Sequence, residues 1–258
     1  MRHNARNTKY SKLYRVRKKK SILNNRLFRS GVLSGAFFSI LFYFLFFSEV
    51  FQIKEIIVSG AGKIPAEEIK SFFPAKNIFL VNSAKLKDDI LDKFPQIAKI
   101  EIKRRFPGTL SVLAQERIEK AVWCQQEKCF FVDEEGIIFG SASGTERDLS
   151  RITKSVSAEA ALGQKIIDRD LLSGILKIEK ELRAQPEVFI KEFLIASDGK
   201  LEAVIKENWK IYFDPQKDLD WQLTKLKAVL ESEIPESSRK NLEYIDLRFG
   251  NLAPYKYR

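Results

Sequence analysis

A chain that does acid–base, nucleophilic or metal chemistry must bring suitable side chains together, and this 258-residue sequence offers few. Its single histidine is His3, so everything after it lacks the imidazole of a Ser-His or Cys-His pair or of a histidine-bearing zinc site. Carboxylate pairs occur at Glu67-Glu68, Asp88-Asp89 and Asp133-Glu134-Glu135. All three fall in polar turns or on the polar faces of expected helices, where solvated charge is the ordinary role rather than general acid and base. Gly60-Ala61-Gly62 follows a strand-like run but lacks the further glycine and helix of a phosphate-binding loop. No enzyme activity, cofactor or metal is expected. Cys124 and Cys129 flank a four-residue polar loop, where paired strands can bring two Cα atoms within disulfide range. In an exported domain a structural disulfide is expected, worth about 2–3 kcal/mol on the chain-entropy model. Two free or buried thiols are the alternative; metal binding needs more ligands, and a redox pair favours CxxC spacing.

Charge distribution decides where these residues work. Residues 1–29 hold eleven basic side chains (Arg2, Arg6, Lys9, Lys12, Arg15, Arg17, Lys18, Lys19, Lys20, Arg26 and Arg29) and no acidic one. The whole chain has 45 Lys and Arg against 34 Asp and Glu. Without the eleven, 34 of each sign remain, so the net charge of +11 resides wholly in the tail. A neutral remainder removes the alkaline pI as an argument for nucleic-acid binding. Beside a membrane span, the tail is read as a topology signal and a contact for anionic lipid.

The span is the run from Ser30 to Ser48, uncharged and rich in phenylalanine. As a helix it is about 28 Å long, close to a bilayer's hydrocarbon thickness. It is longer than the apolar part of a cleavable signal peptide and lacks a small-x-small exit, so an uncleaved signal anchor is expected. By the positive-inside rule the N-terminus stays in the cytoplasm and all that follows Ser48 is exported. The buried core helix is the competing reading, disfavoured because no polar face exists.

Beyond the span, Val50–Ser59 reads as a strand, Pro65–Phe73 as a short helix, and Ala84–Phe94 as a helix capped by Asn82 or Ser83. Ile97–Lys103 and Thr109–Glu116 alternate as two strands about a turn at Arg104–Gly108. Strands are expected at Lys120–Cys124, Cys129–Val132 and Ile137–Phe139, and loop with short pieces of structure through 141–160. A helix follows from Asp168 to Arg183, then a meander at Phe189–Ala196, Leu201–Ile205 and Lys210–Asp214, with turns at Ser197-Asp198-Gly199 and Glu207-Asn208-Trp209. A second helix spans Lys217–Ser232. The last strand is Leu242–Phe249, with Ile245, Leu247 and Phe249 facing one way. The fold class is α+β.

The order β-α-α-β-β just outside a membrane anchor resembles a POTRA domain. The run Ile53-Lys54-Glu55-Ile56-Ile57-Val58-Ser59-Gly60, Asn77-Ile78-Phe79, Pro95 to Ile100, Arg105-Phe106-Pro107-Gly108-Thr109-Leu110, Glu116-Arg117 and Ala121-Val122-Trp123 resemble the version in the FtsQ/DivIB family of bacterial cell-division proteins. Tyr244-Ile245-Asp246-Leu247-Arg248-Phe249-Gly250-Asn251 is similar to that family's ending. The resemblance implies a cytoplasmic tail (1–29), a transmembrane anchor (30–48, bounded by Ser30 and Ser48), a POTRA domain (50–117), a mixed β-sheet domain with two main helices (118–250) and a C-terminal tail (251–258). It also implies a non-enzymatic scaffold in the inner (plasma) membrane, enriched at the division septum. Its partners would be FtsB (DivIC), itself coiled to FtsL, with other division components docking on the POTRA domain. Recognition would fall at Tyr244, Asp246, Arg248, Phe249 and Gly250, by addition of a partner strand to an open sheet edge. The alternative is a POTRA-type chaperone or translocation factor for envelope proteins, which normally carries several such modules or a β-barrel.

Overall fold

A computed structural model of the protein describes residues 26–74, 76–146, 148–154, 159–185, 188–196 and 200–258. Most of the basic tail, and the turn expected at Ser197-Asp198-Gly199, lie outside the described residues. Helix α1, Arg26–Phe47, has 22 residues, none of them buried, and a mean hydropathy of 1.9. An apolar helix that, among the described residues, is covered only at its last turn suits lipid, where its backbone groups are satisfied internally. It begins before Ser30, includes Arg26 and Arg29, and stops one residue short of Ser48. The Ser48 hydroxyl accepts from Val50 N at 3.2 Å and starts a 3-10 turn at Glu49–Phe51. The strand expected from Val50 therefore starts only at Glu55, because the chain must first turn away from the helix axis.

The first module is built as the pattern predicts: β1 (Glu55–Ser59), α2 (Ala66–Lys70), α3 (Ser83–Lys93), β2 (Ile97–Arg105) and β3 (Thr109–Glu116). β3 is central, parallel to β1 and antiparallel to β2. Asn82 caps α3 by accepting from Lys85 N at 3.2 Å. Gly60 has φ +82°, and a Cβ there would stand 2.1 Å from the Ala114 carbonyl oxygen, so only glycine fits. Ile69, Ile78, Ile90, Ile97, Ile100 and Leu110 fill the core between sheet and helices.

The second module is one nine-stranded sheet. Its strands are β4 (Ala121–Gln125), β5 (Lys128–Val132), β6 (Ile138–Ala142), β7 (Ser150–Lys154), β8 (Ile190–Ile195), β9 (Leu201–Ile205), β10 (Lys210–Phe213), β11 (Leu242–Asp246) and β12 (Tyr255–Tyr257). They lie in the order β12-β11-β10-β9-β8-β7-β4-β5-β6. Helices α4 (Arg169–Arg183) and α5 (Leu219–Ser232) cover one face, and a short α6 (Glu236–Arg239) leads into β11. Their apolar stripes meet Trp123, Ile152, Phe193, Trp209, Phe213 and Ile245 in a single core. A disulfide joins Cys124 and Cys129, directly opposed on β4 and β5.

Two expectations need correction and one becomes specific. The short pieces of structure expected within 141–160 include β7, which lies between β4 and β8 and is parallel to both. The last strand predicted to reach Phe249 ends at Asp246, and Phe249, 54% exposed, does not share the buried side of Ile245 and Leu247. Residues 251–258, expected as a tail, contain β12.

Arg117 joins the two modules. Its Nε donates to the Pro95 carbonyl at 2.9 Å, and its backbone N–H donates to the Gln96 carbonyl at 2.8 Å. Its Nη1 pairs with Oδ2 of Asp133 in the β5–β6 turn. Asp133 Oδ1 accepts from Glu135 N and Ile137 N at 3.0 and 2.9 Å. The Arg117 and Asp133 side chains are 13% and 5% exposed, so removing one partner strands the other's charge. Arg117→Ala should therefore cost about 3–5 kcal/mol. Lys63→Ala, which breaks only the exposed pair with Glu119, should cost less than about 1 kcal/mol. Urea denaturation of the two variants in detergent measures the contrast, and equal losses would remove Arg117 as the joint.

Candidate functional site

The C-terminal edge of the large sheet is where the predicted recognition residues gather. β11 is not itself the edge. It pairs in parallel with β10 (Lys210 with Tyr244, Ile211 with Ile245, Tyr212 with Asp246) and antiparallel with β12 on its other side (Ile245 with Tyr255, Tyr244 with Lys256, Leu242 with Tyr257). The Pro254 carbonyl accepts from Asp246 N at 2.8 Å, and Arg258 N donates to the Asn241 carbonyl at 2.9 Å. In an antiparallel strand both backbone groups of one residue point to the same side, and successive residues alternate. Residues 254, 256 and 258 thus face β11. The N–H and C=O groups of Tyr255 and Tyr257 face outward, away from the sheet.

Polar contacts from α5 and the residues just before it hold the turn between β11 and β12. Lys217, Trp221 and Lys225 are spaced four apart, which puts them on one side of the helical path. Lys217 Nζ donates to the Arg248 carbonyl at 3.1 Å, and Trp221 Nε1 donates to the Gly250 carbonyl at 3.2 Å. Lys225 is buried and donates to three carbonyls: Leu247 at 2.6 Å, Phe249 at 3.1 Å and Leu252 at 3.1 Å. Burial pushes its ammonium below the ordinary lysine range, with the Asp246 charge opposing that shift. At the far end of β12, Arg258 Nη2 donates to the carbonyls of Glu207 and Asn208, at 3.1 and 2.7 Å.

The five predicted residues share this edge but do different work. Asp246 is buried, and its Oδ1 accepts from Arg248 N at 3.1 Å and from Arg248 Nε at 2.8 Å. The Arg248 guanidinium also lies over the Tyr212 ring, 4.9 Å from its centroid, and Tyr212 meets the half-buried Tyr244 at 5.6 Å. Asp246, Arg248 and Tyr244 are therefore internal supports of the edge. Phe249 is presented to solvent, and Gly250 contributes its carbonyl to Trp221. Leu252, 71% exposed, with the half-exposed Trp221, Tyr255 and Tyr257, adds apolar surface to the edge. Sequence reasoning missed Lys225, Trp221 and β12. The Tyr255-Lys256-Tyr257 alternation after Pro254 was the available clue to the strand. Cys124 and Cys129 lie on strands far along the sheet from this edge.

Comparison with known proteins follows this division. A model of the FtsQ-type POTRA domain matches residues 51–117, and a model of the cell division protein FtsQ/DivIB C-terminal region matches residues 121–248. The chain belongs to the FtsQ/DivIB family. The cell division protein FtsQ of Syntrophotalea carbinolica is 29% identical over 121 residues, which is 46% of this chain and 42% of that relative. The match to the FtsQ/DivIB C-terminal region covers β11 and Arg248 and stops before Phe249 and β12.

Burial pushes the Asp246 carboxyl upward, but the side-chain and backbone bonds from Arg248, with the charges of Arg248 and Lys225, outweigh it and the net shift is downward. A depressed carboxyl contributes stability above its unfolded pKa, about 3.9, and loses it as pH falls through the folded value. The thermal midpoint of the full chain should exceed that of Asp246→Asn at neutral pH. The gap should close as pH drops below about 4. A gap constant through the acid range would show that the carboxylate's charge is not what the edge uses.

Proposed function

We propose that this chain is a single-pass, non-catalytic scaffold of the bacterial division machinery in the inner membrane. In this reading the basic tail stays in the cytoplasm, and the POTRA and sheet modules lie outside, at the septum. The open C-terminal edge takes a strand from a partner of the FtsB/DivIC type, itself coiled to an FtsL-type chain. Family membership supports the division role. The observation that carries the binding mode is β12: outward N–H and C=O groups at Tyr255 and Tyr257 beside the exposed side chains of Phe249 and Leu252. Backbone pairing supplies affinity without a pocket, and apolar side chains beside the edge set the register.

The proposal is tested by the affinity of a soluble FtsB/DivIC–FtsL pair for the full chain in detergent. Phe249→Glu removes an apolar contact worth about 2 kcal/mol, so Kd should rise roughly thirtyfold. Tyr257→Pro removes an outward donor and should also weaken binding. Leu113→Glu, exposed on the first module, should leave it unchanged. Wild-type affinity in both edge variants, with unaltered melting, would sink the proposed site.

A further inference from the structure

The end of α1 is bonded into the first module. Asn77 is buried, and its Nδ2 donates to the carbonyls of Leu45 and Phe46 at 2.7 and 3.1 Å. These belong to the helix's last turn, whose carbonyls have no partner within the helix. Asn77 Oδ1 accepts from Phe79 N at 2.9 Å, which fixes the amide's orientation. Ile53 N donates to the Lys76 carbonyl at 3.2 Å, and Gln52 bridges to Asn77.

A ladder of rings continues from the helix into the module. Phe44 meets Phe51 at 5.9 Å, Phe51 meets Phe79 at 5.3 Å, Phe46 meets Phe79 at 6.1 Å, and Phe79 meets Phe106 at 5.1 Å. The β2–β3 turn is pressed against the 3-10 turn, because a Cβ on Gly108 would stand 2.5 Å from the Gln52 carbonyl oxygen. The ladder does not end in a closed core. Phe106 and Leu80 are each 57% exposed, and Phe47 and Val50, where α1 ends and the 3-10 turn begins, are exposed too. Lys54, Lys76 and Arg105 border this surface, and among the described residues none has an ion-pair partner; Glu49 and Glu55 are the acids nearest to it.

We infer that this rim, with Phe106 and Leu80 at its centre, seats the first module in the outer interface of the bilayer that α1 crosses. The inference rests on α1 being a membrane span. From Ser30 to Phe47 the helix rises about 27 Å, so Phe47 stands near the edge of a hydrocarbon core about 30 Å thick. The Phe106 ring follows Phe46 after one intervening ring, close enough to the helix end to reach headgroup depth. Exposed Phe and Leu side chains bury favourably at the headgroup–acyl boundary, and flanking Lys and Arg extend their cations to lipid phosphates. A bilayer is the occupant because the rim is continuous with the uncovered surface of α1 and built of the same side chains.

Spin labels on single cysteines test this in the full chain, reconstituted in phosphatidylethanolamine–phosphatidylglycerol vesicles. Cys124 and Cys129 are bonded to each other, so the unsubstituted chain should take no label. The labelled variants are Leu80→Cys, Phe106→Cys, Ile118→Cys and Ile40→Cys, all at exposed positions. Ile118 lies past the far end of β3, about 30 Å of strand from the rim. Labels at 80 and 106 should collide with a water-soluble nickel relaxer several-fold less often than the label at 118, and with oxygen more often. The label at 40 should read as deep in the hydrocarbon. If 40 is deep while 80 and 106 match 118, the rim does not touch lipid and the inference falls alone. If 40 is also open to nickel, the span falls and takes the inference with it.

Discussion

Every amide withdrawn from water needs a partner, and that requirement shapes this protein from one end to the other. In α1 the pairing is internal, which lets a helix that is uncharged from Ser30 onward stand with little protein cover. At its last turn the internal pairing runs out, and Asn77 supplies donors to Leu45 and Phe46. At the other end, β12 closes the inner half of its hydrogen-bond capacity on β11 and leaves the outer half free. The first end is satisfied by the chain itself and the last is left for water or another strand. The scaffold role proposed above would use this unpaired backbone and not an enclosed site.

Side-chain cations do similar work at the turns. Lys225 could have been a solvated charge on an amphipathic helix; instead its ammonium gathers three carbonyls of the β11–β12 turn. Arg248 turns back on Asp246 and Tyr212, and Arg117 reaches from Pro95 to Asp133. Each contact lies where the chain changes direction and no ladder is available, so a long side chain carries the donors that strands and helices supply elsewhere.

The legible parts of the fold were those whose information is local. α1 could be read from length and lack of charge, and the first module from its alternation and from the proline and glycine at Pro65, Pro95 and Gly108. α4 and α5 could be read from apolar spacing. What escaped was settled by distant pairing. β7 is five residues, Ser-Arg-Ile-Thr-Lys, with Ile152 its fully buried apolar residue; only its parallel neighbours β4 and β8 make it a strand. Val50–Lys54 has strand composition, yet the contact with Asn77 and Gly108 bends it into a turn. The candidate site was half legible: the run from Tyr244 to Gly250 lies beside the C-terminal edge of the sheet, but burial assigns Asp246 and Arg248 to support, and the outermost strand came from residues set aside as a tail.

That exchange of roles follows from geometry. A parallel strand such as β11 needs its partner β10 on one side, and the chain then has to return for the other side to be covered. Only eight residues separate Asp246 from Tyr255, too few for a helical crossover, so the returning strand must be antiparallel and short. A three-residue strand cannot hold itself against a sheet by ladder bonds alone. Lys225, Trp221 and Arg258 add bonds around it to those of the ladder, and they do so without occupying the outward groups of Tyr255 and Tyr257. Firm attachment on the inner side and vacancy on the outer side are therefore one arrangement.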